Sequence, residues 1–155
     1  MGDGKGSEKY RNFSIAFLKE AKEDTDAAEI LLSNKKYSRS MAASQQCVEK
    51  SIKAILEMEK VFVAEHDLST FFLKFIHNNK EYSNFKKENE ELLEILDYFE
   101  GEWKKSRYPR EEKGKVVTTI EMYKEEDAVE AYDKSTRCYE LTKIILKKKF
   151  NLDMK

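Results

Sequence analysis

The sequence predicts an all-α fold, an up-and-down antiparallel bundle of four to five helices, and three observations carry that prediction. Charged residues make up 38% of the 155 positions and hydrophobic residues 40%, so nearly every position outside one core is ionic, a helix-favouring balance. Five Gly and one Pro are too few turn formers for a sandwich or barrel, which needs a turn about every 8–12 residues. Apolar residues recur at steps of three, four and seven through successive stretches, the spacing of one helix face. A chain of this length defaults to one domain, here residues 8–150, with a flexible glycine-bearing leader over 1–7 and a tail over 151–155.

The first helix spans about residues 8–34, with Phe13, Phe17, Ala21, Ala28, Leu31 and Leu32 on its apolar face. Asp24 falls on the same stripe, where a carboxylate needs a partner or an edge position in water. Asn34, Lys35 and Lys36 suit a helix end and short turn. A second helix runs from about Ser38 to Lys60, with Met41, Val48, Ile52, Ile55 and Glu59 along one side and Ala43, Cys47, Ala54 and Met58 along another. Leu68, Phe71, Phe72, Phe75 and Ile76 mark a compact third helix, for which Asp67 is a suitable N-cap and which Asn78 and Asn79 end.

Phe85, Leu92, Ile95, Leu96, Phe99 and Trp103 set a fourth helix over about 85–104, weakened in its last turn by Gly101. Pro109 pushes Tyr108 out of the α region, so this helix stops near Ser106 and leaves Arg107 at a helix end. Residues 105–119 are irregular, with at most a short extended piece near 115–120. A final helix over about 121–149 carries Ala128, Ala131, Tyr132, Ser135, Cys138, Tyr139, Thr142, Ile145 and Leu146 on one broad face. Leu93 and Tyr98 lie off the main stripe of the fourth helix and call for a second surface to cover them.

No apolar run approaches the roughly 20 residues that cross a bilayer, and the N-terminus has no apolar secretory stretch, so no membrane association and a cytoplasmic location are expected. Cys47 and Cys138, each inside an apolar pattern, read as buried thiols rather than a disulfide. A net charge of −1 argues against wholesale coating of nucleic acid and leaves room for a local basic patch.

Catalytic options are narrow. The opening GDGKGS lacks the phosphate-loop spacing and no strand precedes it. His66 and His77, the only two histidines, sit in neither H-E-x-x-H nor E-x-x-H, so no metal or other cofactor is expected. The segment from Trp103 to Lys115 holds six basic residues against two acidic ones, a net of +4, interleaved with Trp103 and Tyr108. Two of the chain's five arginines, Arg107 and Arg110, bracket Tyr108-Pro109, and a guanidinium fork fits phosphate better than an ammonium does. Gln46, Glu49, Lys50 and Lys53 bring polar groups into the second helix, where a Glu49–Lys53 ion pair is the simplest explanation.

Taken in order, A-K-E-D-T-D-A-A-E-I-L-L, then K-K-Y-S-R-S-M-A-A-S-Q-Q-C-V-E-K-S-I-K-A-I-L, E-H-D-L, S-R-Y-P and Y-K-E-E-D-A-V-E-A-Y resemble the HEPN domain, the higher eukaryotes and prokaryotes nucleotide-binding family. The resemblance covers about residues 15–148, and Q-Q-x-x-E-K-x-x-K followed by H-D-L is its most specific part. It implies an up-and-down helical bundle, a homodimer, and a minimal nucleotidyltransferase as partner. It also implies a test for metal-independent RNase activity, whose motif in some members is an Arg followed, after four to six residues, by a His. No arginine of this chain has a histidine at that spacing, and counting on from Arg107 reaches Glu112, Lys113 and Gly114.

The resulting expectation is a non-catalytic subunit of a toxin–antitoxin or related system that binds a nucleotide or RNA phosphate through Arg107, Arg110, Tyr108, Lys50, Glu49, Gln46 and His66. The alternatives are a helical dimer that acts only as an interaction scaffold, and a divergent RNase that uses His66 in place of the missing motif histidine.

Overall fold

A computed structural model describes residues 4–154. Helices α1 (Gly4–Ser33) and α2 (Tyr37–Met58) form a long hairpin, and the C-terminal α7 (Glu125–Phe150) packs against both. Shorter elements complete the bundle. They are α3 (Ser69–Phe72), which runs into a π-helical turn over Leu73–His77, a 3-10 segment over Lys80–Phe85, α4 (Lys86–Tyr98) and α5 (Glu102–Lys105). A two-stranded hairpin, β1 (Arg110–Glu112) and β2 (Lys115–Val117), and the single turn α6 (Thr119–Met122) lead into α7. The architecture is the all-α bundle read from the sequence, with α4 lying against α7 and against the π-helical turn.

The α1–α2 seam is narrower than hydrophobic periodicity implies. Buried positions on α1 run Ser14, Leu18, Ala21, Thr25 and Ala28, whereas Phe13 is 49% exposed. The seam closes through hydroxyls that satisfy themselves on backbone: Ser14 Oγ donates to Ala54 O at 2.7 Å, Ser40 Oγ to Ala28 O at 2.8 Å, and Thr25 Oγ1 to Ala21 O at 3.1 Å. Each hydroxyl carries its own acceptor, so it is buried without penalty and lets the helices approach closely. Asp24 finds a partner in Lys50 at 2.9 Å, and burial still pushes its carboxyl above the usual carboxylate range.

The leader over residues 1–7 is one difference from the sequence reading: Gly4 to Ser7 belong to α1, because extending a nucleated helix costs little, and residues 1–3 lie outside the described residues. Asp67 does not cap α3, whose N-cap is Leu68 without a side-chain hydrogen bond. Its Oδ1 instead accepts from the amide of Gly101 at 3.0 Å. Gly101, at φ 81°, breaks the expected fourth helix into α4 and α5, a left-handed corner that a side chain would strain. Ser106 is the C-cap of α5, so Arg107 follows directly on a helix end.

Lys113 and Gly114, at φ 50° and 77°, make the tight turn between β1 and β2, a backbone suited to the right-handed twist of a hairpin. The extended piece ends at Val117, because Thr118 and Glu121 form a capping box that opens α6. The tail turns back as well. Asn151 takes φ 51°, Leu152 donates to Leu146 O, and the Leu152 side chain enters the core, while Lys155 lies outside the described residues.

Leu93 and Tyr98 are packed against the core of their own chain, so they require no second copy to cover them. Both cysteines are buried and free, and burial pushes the Cys47 thiol up to about 11. Among the described residues no helix is long and apolar enough to cross a membrane.

Glu57, buried near the end of α2, has its carboxyl pushed up by burial, with Lys9 only partly opposing. The folded state therefore holds this proton to higher pH than the unfolded chain does. Its contribution to stability falls as pH rises from the usual glutamate value through the raised one. Denaturant titrations of wild type and Glu57→Gln across that window check this: the stability difference should grow in favour of the variant as pH rises.

Candidate functional site

Residues from three separate segments meet beside the α5 helix end. Trp103 is the platform. The His66 ring stacks on it with centroids 4.1 Å apart and planes 7° from parallel, and the Arg107 guanidinium carbon lies 5.5 Å from the indole centroid. The hydrogen bond from the Gly101 amide to Asp67 ties the His66–Asp67 loop to the start of α5 and so holds the stack together.

Polar side chains of α2 form the floor. His66 Nδ1 bonds Glu49 Oε1 at 2.5 Å, Gln46 Nε2 donates to Glu49 Oε2 at 3.3 Å and to Gln45 Oε1 at 3.2 Å, and Arg107 Nη2 donates to that same Gln45 oxygen at 3.5 Å. Arg107 Nη1 donates to Trp103 O at 3.4 Å. The contacts close a ring from Arg107 through Gln45, Gln46, Glu49, His66 and Trp103 back to Arg107. Glu49 is only 6% exposed, and its two oxygens are divided between His66 and Gln46. With Nδ1 committed to Glu49, Nε2 of His66 has no protein partner among the described residues.

The arrangement offers a guanidinium fork, an aromatic face and an imidazole nitrogen on one surface. Behind His66 and Glu49 the void is only about 10 Å³, the order of a single water, so the ring has room for a ligand across its surface and none inside it. A phosphate is suited to such a surface, since a planar guanidinium reads its oxygens in pairs.

Of the residues singled out from sequence, Gln46, Glu49, His66 and Arg107 come together here. Tyr108 is beside them, 52% exposed and edge-on to Trp103 at 6.4 Å. Lys50 does not join, because one helical step past Glu49 turns it towards α1, where it pairs with Asp24. Arg110 does not join either: two positions apart on one strand face, it pairs with Glu112 at 2.5 Å. The expected Glu49–Lys53 ion pair does not form, since His66 takes the carboxylate.

Gln45, at 2% exposure the link between Arg107 and Gln46, is the residue the sequence reading missed. Its position next to the buried Ser44 hides it among core residues, and the doubled Gln was the only available signal. Among the described residues no three His, Cys, Asp or Glu side chains converge as a metal site requires.

Comparison with known proteins agrees with this geometry at the level of family. The family model described as HEPN domain matches residues 15–145. The protein named "Putative toxin MJ1304" from Methanocaldococcus jannaschii is 33% identical over 140 residues, which covers 90% of this chain and 92% of that protein. The crystal structure of TT1696 from Thermus thermophilus superposes with a TM-score of 0.63 at 16% identity, covering 83% of this chain and 94% of that one, a likeness of fold alone. A family match over most of the chain, with a relative of one-third identity end to end, establishes that this protein belongs to the HEPN domain family.

Proposed function

We propose that this protein is the HEPN subunit of a toxin–antitoxin-like pair and that it binds a nucleotide or RNA phosphate across the ring formed by Arg107, Trp103, His66 and the α2 glutamine–glutamate floor. One observation carries the reading: Arg107 is held against Trp103 and Gln45 with no carboxylate on its guanidinium, so its charge stays available to an anion. Tyr108 beside it, 52% exposed, gives a face on which a base stacks. The relative named as a toxin supports the biological setting. A homodimer and a minimal nucleotidyltransferase partner are part of the same proposal, on the strength of family membership.

Titration of labelled ATP and of a short RNA against wild type and Arg107→Ala tests the reading. Wild type binds, and the variant loses about tenfold or more, the worth of a charge-assisted hydrogen bond. An interaction scaffold shows no binding to lose.

A second reading is favoured by one specific contact. A buried carboxylate holding His66 by Nδ1 leaves Nε2 without a protein partner among the described residues, with Arg107 on the same indole, an arrangement that orients an imidazole for proton transfer. In that case wild type cleaves single-stranded RNA without added metal, and His66→Ala abolishes cleavage. Intact RNA after prolonged incubation with wild type would remove this second reading and leave the first.

A further inference from the structure

The turn between α1 and α2 carries a second cation-rich feature, distinct from the Arg107 ring. A pocket of about 470 Å³ opens there, within the size range of small-molecule sites. Its charged lining residues, Lys35, Lys36 and Arg39, are all basic. None of the three has a carboxylate partner among the described residues, and Arg39 makes only a 3.5 Å contact to the Thr119 hydroxyl.

The N-terminus of the 22-residue α2 opens into the same space. No side chain caps it, and its first intrahelical bond is Ser40 N to Lys36 O, so the amides of Tyr37, Ser38 and Arg39 have no acceptor in the described structure. Ser38 lines the pocket at 5% exposure, and its hydroxyl has no hydrogen-bond partner among the described residues. A pocket-lining serine hydroxyl without a protein partner, three amides without acceptors and three unpaired cations are all suited to the same thing, which is a compact oxygen anion.

The remaining wall is aromatic and aliphatic. Tyr37 and Tyr123 flank the pocket, and Ile120 stands 77% exposed at its edge. The phenol of Tyr123 is directed to Glu102, which leaves its ring as the lining surface. Simple phosphate has no use for that wall, whereas a base or ribose does.

We propose that this pocket is a second phosphate site, which takes a nucleoside monophosphate group. The phosphate sits on Lys36, Arg39, Ser38 and the first amides of α2, and the nucleoside lies against Tyr37, Ile120 and Tyr123. Arg39 and Gln46 are seven positions apart on one face of α2, about 10 Å along the axis, so the site lies two helical turns from the Arg107 ring. It uses none of the ring's residues and stands or falls separately.

The full chain, labelled with ¹⁵N, is titrated with adenosine monophosphate and, separately, with inorganic phosphate. The amides of Ser38 and Arg39 report this pocket, and the fluorescence of Trp103, the only tryptophan, reports the ring. Saturable shifts at Ser38 and Arg39 are expected, with the nucleotide at least several-fold tighter than phosphate. Combining Lys36→Ala with Arg39→Ala should weaken nucleotide binding about tenfold to a hundredfold. Arg39→Lys, which keeps the charge and poses little risk to folding, should weaken it several-fold because the fork is lost.

Absence of saturable shifts at these two amides, or unchanged affinity in both variants, overturns the site. Equal affinity for nucleotide and phosphate overturns the nucleoside assignment. A response of Trp103 without one at Ser38 and Arg39 leaves the ring standing and removes this pocket, and the converse does the opposite.

Discussion

Replacing Trp103 by alanine is expected to cost phosphate and RNA binding more than any other single change outside Arg107. The indole is the one group that touches both ends of the polar ring, stacking on His66 and seating the Arg107 guanidinium. Without it the His66–Asp67 loop loses its aromatic contact and Arg107 loses its seat, so a charge-assisted contact to phosphate worth about 1.5–3 kcal/mol is no longer held in place. The expected loss is therefore about tenfold to a hundredfold in affinity for a short RNA. Stability should change little by comparison, because α5 is a single turn in which no residue is buried. Trp103→Phe should recover part of the affinity, since a smaller ring still stacks. Equilibrium titration of the three proteins with a labelled oligonucleotide checks both statements.

The largest stability effect is expected in the middle of α2. Ile55 is fully buried, and Ile55→Ala should cost about 2–5 kcal/mol through lost transfer energy and the cavity left behind. Phe13→Ala, by contrast, should stay within about 0.5 kcal/mol because nearly half of that side chain is already in water. Urea unfolding followed by helix dichroism separates the two. Comparable costs would mean that α1 sits in a different register on α2.

That contrast shows where the sequence is legible. The helical architecture follows from apolar spacing, and Pro109 correctly leaves Arg107 at the end of a helix. The face of α1 does not follow. Its seam is built from Ser14, Ala21, Thr25 and Ala28, whose small size and self-satisfied hydroxyls carry no hydrophobic signal, while Phe13 next to them carries a misleading one. Gly101 reads as a weak point in a helix, yet the break itself depends on a φ of 81° held by the bond to Asp67, a contact across 34 positions.

The polar ring was half legible for the same reason. Gln46, Glu49, His66 and Arg107 are unusual residues in their segments and draw attention by type. Which of them meet is decided by azimuth: Glu49 and Lys50 are neighbours in sequence but point to His66 and Asp24 respectively, one helical step apart. Gln45 is silent in sequence because a buried glutamine has the same periodicity as the core around it.

The central claim, that Arg107 reads phosphate by geometry and not by charge alone, is tested most directly by Arg107→Lys over a series of salt concentrations. The lysine variant is expected to bind a short single-stranded RNA about tenfold more weakly than wild type at every salt concentration. The slope of log affinity against log salt should stay near that of wild type, because the charge is retained while the two-pronged contact is lost. Equal affinity of Arg107→Lys and wild type, with salt abolishing the binding of every polyanion alike, would contradict it.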